Sequence, residues 1–119
     1  MADAREPMKT ATALDMWRLT TVEGVRRDSP DLTARQMAVM LTVYLTPPPH
    51  TVRGLAAQLN VSKPAITRAL DRLSQLGLAK RKVDQTDRRS ILVQRTVKGS
   101  IYLTEFGEIV TTTLRTLEL

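Results

Sequence analysis

No cysteine occurs in the 119 residues, which excludes disulfides, thiolate metal ligands and thiol redox sensing. Histidine is almost missing as well. His50 stands alone, so a zinc-sensing site lacks its ligands and the residue reads as part of a turn. Glu105 and Glu108 have no histidine or nucleophile near them in sequence and read as solvated charge; no catalytic constellation and no cofactor motif emerges. Aromatic residues make up 3% of the chain, so the core must be built from Leu, Val, Ile, Ala and Met, with Met37 and Met40 inside it. Apolar runs fall far short of a membrane span, and the opening MADAREPMKT lacks a signal peptide's apolar segment. These absences fit a cytoplasmic protein that is not an enzyme. With no repeat, low-complexity tract or linker, residues 1–119 read as a single domain.

What the chain does have is concentrated positive charge. The formal net charge is +6. Between His50 and Ser100 eleven lysines and arginines stand against three acids, Asp71, Asp84 and Asp87, whereas elsewhere seven bases face nine acids. A basic excess confined to one folded region suits a phosphate-binding surface, and it favours nucleic acid over an anionic membrane.

Hydrophobic periodicity and cap signals predict a mainly α fold with a small antiparallel β-wing. After a frayed start over residues 1–10, a first helix runs from Thr12 to about Arg27, with Leu14, Trp17, Val22 and Val25 close to one face. Ser29-Pro30-Asp31 breaks it. Thr33 and Gln36 make a capping pair, and Leu32 with Met37 a hydrophobic staple. The helix that follows, through Val39, Met40, Leu41, Val43, Tyr44 and Leu45, is apolar around much of its circumference and so reads as buried. Pro47-Pro48-Pro49 ends it. Thr51 caps a short helix with Val52, Leu55, Ala56 and Leu59 inward. Beyond a turn at Asn60-Val61, Ser62 caps a second helix with Ile66, Ala69, Leu70, Leu73 and Leu76 inward, and Gly77 stops it. Strands follow at 78–83 and 90–96 around a polar tip. The final helix, from about Val97, carries two apolar stripes: Tyr102, Phe106, Ile109 and Leu117 on one, Leu103, Val110 and Leu114 on the other. One stripe suffices for so small a domain. The surplus, with Leu14 and Trp17 of the first helix, is a candidate dimer interface.

The second helix of the central pair points Ser62, Lys63, Pro64, Thr67, Arg68 and Arg72 outward. Free N–H groups at its start can hold a phosphate, and Thr67, Arg68 and Arg72 lie a turn apart, spaced to meet base edges or flanking phosphates. Asp71 reads as a local partner for Arg68, Arg72 or Gln75. At the hairpin tip Asp87-Arg88-Arg89 can insert an arginine into a narrow minor groove, with Asp87 holding the guanidinium by an ion pair. Lys80, Arg81 and Lys82 would track the DNA backbone.

The segments LTARQMAVMLTVYL, LAAQLNVSKPAITRALDRLSQLGLAKR and DQTDRRSILVQRTVKG together resemble the MarR family of winged helix-turn-helix regulators. The likeness runs from about Leu32 to Gly107, and its most specific part is Asp87-Arg88-Arg89 shortly before the T-x-x-G at Thr96–Gly99. It implies a transcriptional regulator, a repressor, that binds a pseudo-palindromic double-stranded operator as a homodimer. Residues 12–28 and 97–117 would be the dimerisation helices and 51–96 the DNA-binding helix-turn-helix and wing. The helix 62–76 would enter the major groove, with wing 84–89 and its Arg89 in the minor groove. Members of the family often respond to a small aromatic or lipophilic effector near the dimer seam.

This chain departs from the family pattern in three places. Gln85 replaces the usual proline, which loosens the wing loop, Arg95 puts a charge where leucine is common, and there is less sequence at both ends for dimerisation. The rival reading is a winged-helix protein-interaction module with weak or no DNA binding.

Overall fold

The computed structural model describes residues 7–118; residues 1–6 and Leu119 lie outside them, and with them most of the expected frayed start. Among the described residues the order is α1 (Thr10–Arg26), α2 (Ala34–Leu45), α3 (Val52–Leu59), α4 (Lys63–Gln75), β1 (Ala79–Val83), β2 (Ile91–Arg95) and α5 (Val97–Thr116). Five helices and one antiparallel hairpin make up the winged helix-turn-helix anticipated from sequence. The chain divides into two compact units, Leu32–Thr104 and the described residues that precede and follow it.

In the larger unit each helix start is fixed by its own short-range chemistry. Thr33 and Gln36 form the full capping box: the Gln36 amide donates to the Thr33 hydroxyl at 3.1 Å and the Thr33 amide to the Gln36 side chain at 2.9 Å. The helix they start, α2, buries Val39, Met40 and Val43 but leaves Leu45 74% exposed. No residue from Gln36 to Tyr44 is exposed, so the helix is covered on all sides as its composition suggests, and only its last residue projects beyond the core. Thr51 caps α3 by accepting from the Gly54 amide at 2.9 Å. Asn60 ends that helix in the left-handed region, at φ 55°, and the Val61 amide bonds back to the Ala56 carbonyl.

Helix α4 starts at Ser62, whose hydroxyl accepts from the Ala65 amide, and buries Ala65, Ile66, Ala69, Leu70 and Leu73. It ends in a Schellman motif: Gly77 turns at φ 73°, Leu78 N–H reaches the Leu73 carbonyl at 2.8 Å, and Gly77 N–H reaches Ser74 at 3.0 Å. Leu78 is buried in the same cluster as Leu73. The cluster also takes in Val39, Met40 and Val43 from α2, Leu55 from α3, Val93 from β2 and Tyr102 from α5. Each fully buried large aliphatic side chain in it is worth about 1.5–3 kcal/mol. Tyr102, anticipated at a dimer seam, is thus spent inside the core.

The hairpin pairs Ala79 with Arg95 through Val83 with Ile91. Its second strand has a further neighbour: Thr51 bridges Leu92, and the Val93 amide donates to the His50 carbonyl at 2.8 Å. His50 is accordingly buried, its Nε2 lying 3.1 Å from the Thr46 carbonyl. It belongs to the connection between α2 and α3, as read from sequence, with its carbonyl taken up by β2.

In the smaller unit α1 buries only Thr20, while Leu14, Trp17 and Val25 are 64%, 63% and 62% exposed. The apolar face read from sequence exists and is bare within the chain. Further along, Phe106, Ile109, Val110, Leu114 and Leu117 are half-buried, and the Arg27 guanidinium lies 5.9 Å from the Phe106 ring centre. No helix of the described residues is long and apolar enough to cross a membrane.

Candidate nucleic-acid interface

Two side chains and one glycine join α4 to the wing. The Tyr44 hydroxyl donates to the Leu78 carbonyl at 2.6 Å and accepts from the Thr96 amide at 2.9 Å. The Thr96 hydroxyl donates to the Gly77 carbonyl at 2.7 Å and accepts from the Gly99 amide at 2.9 Å, which caps α5. The end of α4, the start of β1 and the start of α5 are therefore tied at one point. Gly99 sits against it so closely that a Cβ would collide with the Tyr44 hydroxyl and the Leu78 carbonyl. This is the physical content of the T-x-x-G motif.

From that joint α4 presents Ser62, Lys63, Pro64, Thr67, Arg68, Asp71 and Arg72, all exposed. Its N-terminal donors are fewer than anticipated. Pro64 has no N–H and Ser62 takes that of Ala65, so the Lys63 amide is the one left in the first three positions. Asp71 pairs with neither Arg68 nor Arg72. Its carboxylate meets Arg81 of β1 at 2.8 Å, a bridge from α4 to the wing strand, while Arg72 reaches Gln75 at 3.5 Å. Arg81 is thereby turned toward the protein, with Ala79 and Val83 on its face of the strand, and Lys80 and Lys82 lie on the other.

The wing loop is built from backbone-directed carboxylates. Asp84 accepts from both the Thr86 hydroxyl, at 2.8 Å, and the Thr86 amide, at 2.9 Å. Those bonds, the hydroxyl first, hold its carboxyl below the usual carboxylate range. They also supply a clamp where the family's proline is missing. Asp87 accepts from the Arg89 amide at 3.1 Å, and the Ser90 amide returns to the Asp87 carbonyl at 2.8 Å. The expected ion pair between Asp87 and an arginine guanidinium does not form; the carboxylate fixes the loop backbone instead. Arg88 and Arg89 are exposed, and among the described residues neither side chain has an ion-pair or hydrogen-bond partner. The same holds for Lys63, Arg68, Lys80 and Lys82.

Sequence reading missed Arg95. Its Nε donates to the Val43 carbonyl at 2.8 Å and an Nη to the Thr46 carbonyl at 3.0 Å, and its guanidinium lies 6.0 Å from the Tyr44 ring centre. A cation on the last carbonyls of α2 complements the negative end of that helix. The departure from the family's leucine was the available signal. Arg95→Leu should lower unfolding stability by about 1–2 kcal/mol in urea titrations, because charged hydrogen bonds to helix-end carbonyls are lost.

Comparison with known proteins agrees with this geometry. A model of the MarR family matches residues 31–90, about half the chain. S. aureus MepR, in a mutant form, has the same fold, with 20% identity, a TM-score of 0.75, and coverage of 93% of this chain and 83% of that one. The transcriptional regulator Tm0710 of Thermotoga maritima is 25% identical with a TM-score of 0.72, over 90% of this chain and 75% of its own. The transcriptional repressor CouR, bound to a 23-mer DNA duplex, is 25% identical with a TM-score of 0.68, over 87% of this chain and 67% of its own.

Proposed function

This chain belongs to the MarR family of DNA-binding transcription regulators, and we propose that it acts as a cytoplasmic homodimeric repressor on a pseudo-palindromic duplex operator. The observation that carries the reading is the set of exposed, unpaired cations on α4 and the wing, in a chain whose acids outnumber its bases elsewhere. In this reading Ser62, Lys63, Pro64, Thr67, Arg68 and Arg72 lie along the major groove. Arg88 and Arg89 enter the minor groove from a loop shaped by Asp87, and Lys80 and Lys82 meet phosphates, with Arg81 positioning the strand through Asp71. Residues 51–96 form the DNA-binding part of one winged-helix protomer. The bare Leu14 and Trp17 of α1 support dimerisation through 12–28 and 97–117, where Phe106, Ile109, Val110, Leu114 and Leu117 are partly open. CouR, a repressor bound to a duplex, supports the direction of regulation. A groove of about 420 Å³ beside Leu19, Ile109 and Thr113 is where a small aromatic or lipophilic effector would fit.

Salt dependence tests the function. About six phosphate contacts per bound unit give a log–log slope of affinity against salt of roughly −5. Duplex affinity that stays flat between about 50 and 200 mM salt would favour the protein-interaction module instead.

A further inference from the structure

Beside α4 lies a cleft to which no role has been assigned so far. It has a volume of about 390 Å³ and is lined by Thr33, Ala34, Arg35 and Gln36 from the start of α2 and by Ala65, Arg68 and Ala69 from α4. Its floor is small, since the two alanines of α4 are buried. Its rim carries two guanidiniums from different elements, Arg35 and Arg68. Both residues are exposed, and neither has an ion-pair or hydrogen-bond partner among the described residues.

The placement of Arg35 is unfavourable for the helix that bears it. It occupies the second position of α2, where the helix dipole favours an acid, and no acid stands in that first turn to offset it. The end of the helix needs nothing from it either, because Thr33 and Gln36 already satisfy each other in the capping box. A cation that opposes its own helix, makes no internal contact and faces an open cleft across from Arg68 is placed for something outside the chain.

We propose that Arg35 and Arg68 together grip the phosphodiester backbone of duplex DNA in this cleft, a contact on the α2 flank of the recognition helix, separate from the wing. The assignment rests on the DNA-binding reading above and extends its footprint to a helix outside the helix-turn-helix pair. The contact carries no base information, so it adds affinity for all sequences alike and helps fix how far α4 rolls in the groove.

The test uses the full chain, a labelled duplex recovered by in vitro selection, and a scrambled duplex of the same length and composition. Arg35→Ala should weaken both duplexes equally, roughly fivefold per subunit near 0.15 M salt, and reduce the log–log salt slope by about one per subunit. Its melting temperature should equal or exceed that of the parent, since an opposing charge has been taken from the first turn. Arg35→Lys, which keeps the charge, should restore most of the slope. Unchanged affinity and slope in Arg35→Ala overturn the proposal, as does a loss confined to the selected duplex or accompanied by early melting. If the parent chain binds neither duplex, the functional reading itself falls and this contact with it.

Discussion

Arg89→Ala is expected to lower affinity for a selected operator by roughly one to two orders of magnitude while leaving the fold intact. The loop backbone at Arg89 is held by the Asp87 carboxylate and closed by the bond from the Ser90 amide to the Asp87 carbonyl, so its side chain leaves from a fixed point. That lowers the entropy lost when the guanidinium enters a narrow groove, where the negative potential is strongest. A well-made arginine contact to a base edge is worth about 1–3 kcal/mol, and a homodimer makes it twice. Arg89 contributes nothing to packing, so thermal melts of variant and parent should superimpose. An anisotropy titration in which the variant binds like the parent would sink the wing assignment.

Gly99→Ala should be the most damaging single methyl in the protein. At this position a Cβ has no room, because the Tyr44 hydroxyl and the Leu78 carbonyl already fill the space. Accommodating it means breaking the hydroxyl's bond to Leu78 or the one from Thr96, in addition to overpacking. A loss of about 2–4 kcal/mol follows, which in a chain this size lowers the melting midpoint by roughly 10–20 °C. Gly107, in the same helix, supplies the control. A Cβ there meets nothing within 4 Å, so Gly107→Ala should be neutral or stabilise by up to about 1 kcal/mol. Equal melting of the two variants would show that crowding at the joint is not what selects glycine.

What the sequence revealed and what it hid divide by separation along the chain. The capping box at Thr33 and Gln36, the Ser62 cap and the glycine stop at Gly77 use residues within a few positions of one another, so local pattern was enough to find them. The outward face of α4 followed from its period, and the wing arginines from a motif. Hidden were the contacts that fold the ends of elements together. Arg95 reaches Val43 across 52 positions, and Tyr44 reaches Leu78 across 34. Periodicity carries no trace of such pairs. Asp71 was assigned a neighbour on its own helix when its partner, Arg81, comes from the adjoining strand. Asp87 was read as a charge seeking a guanidinium, although a backbone amide two residues on is nearer and costs less ordering. Leu45 looked like core because its composition matched, but composition does not say where the neighbouring elements stop.

The bridge from Thr51 to Leu92 has a bearing on how copies of this protein coexist at high concentration. With the inner side of β2 engaged by Thr51 and His50, the hairpin has a single open margin among the described residues, the outer side of β1. An unpaired strand margin is a template for aggregation unless something repels a second chain. Here that strand reads Ala-Lys-Arg-Lys-Val, so another copy approaching it would have to bring like charges together. The lysines proposed to meet phosphates would also keep the protein from self-association through its sheet, and their neutralisation would put solubility at risk along with affinity.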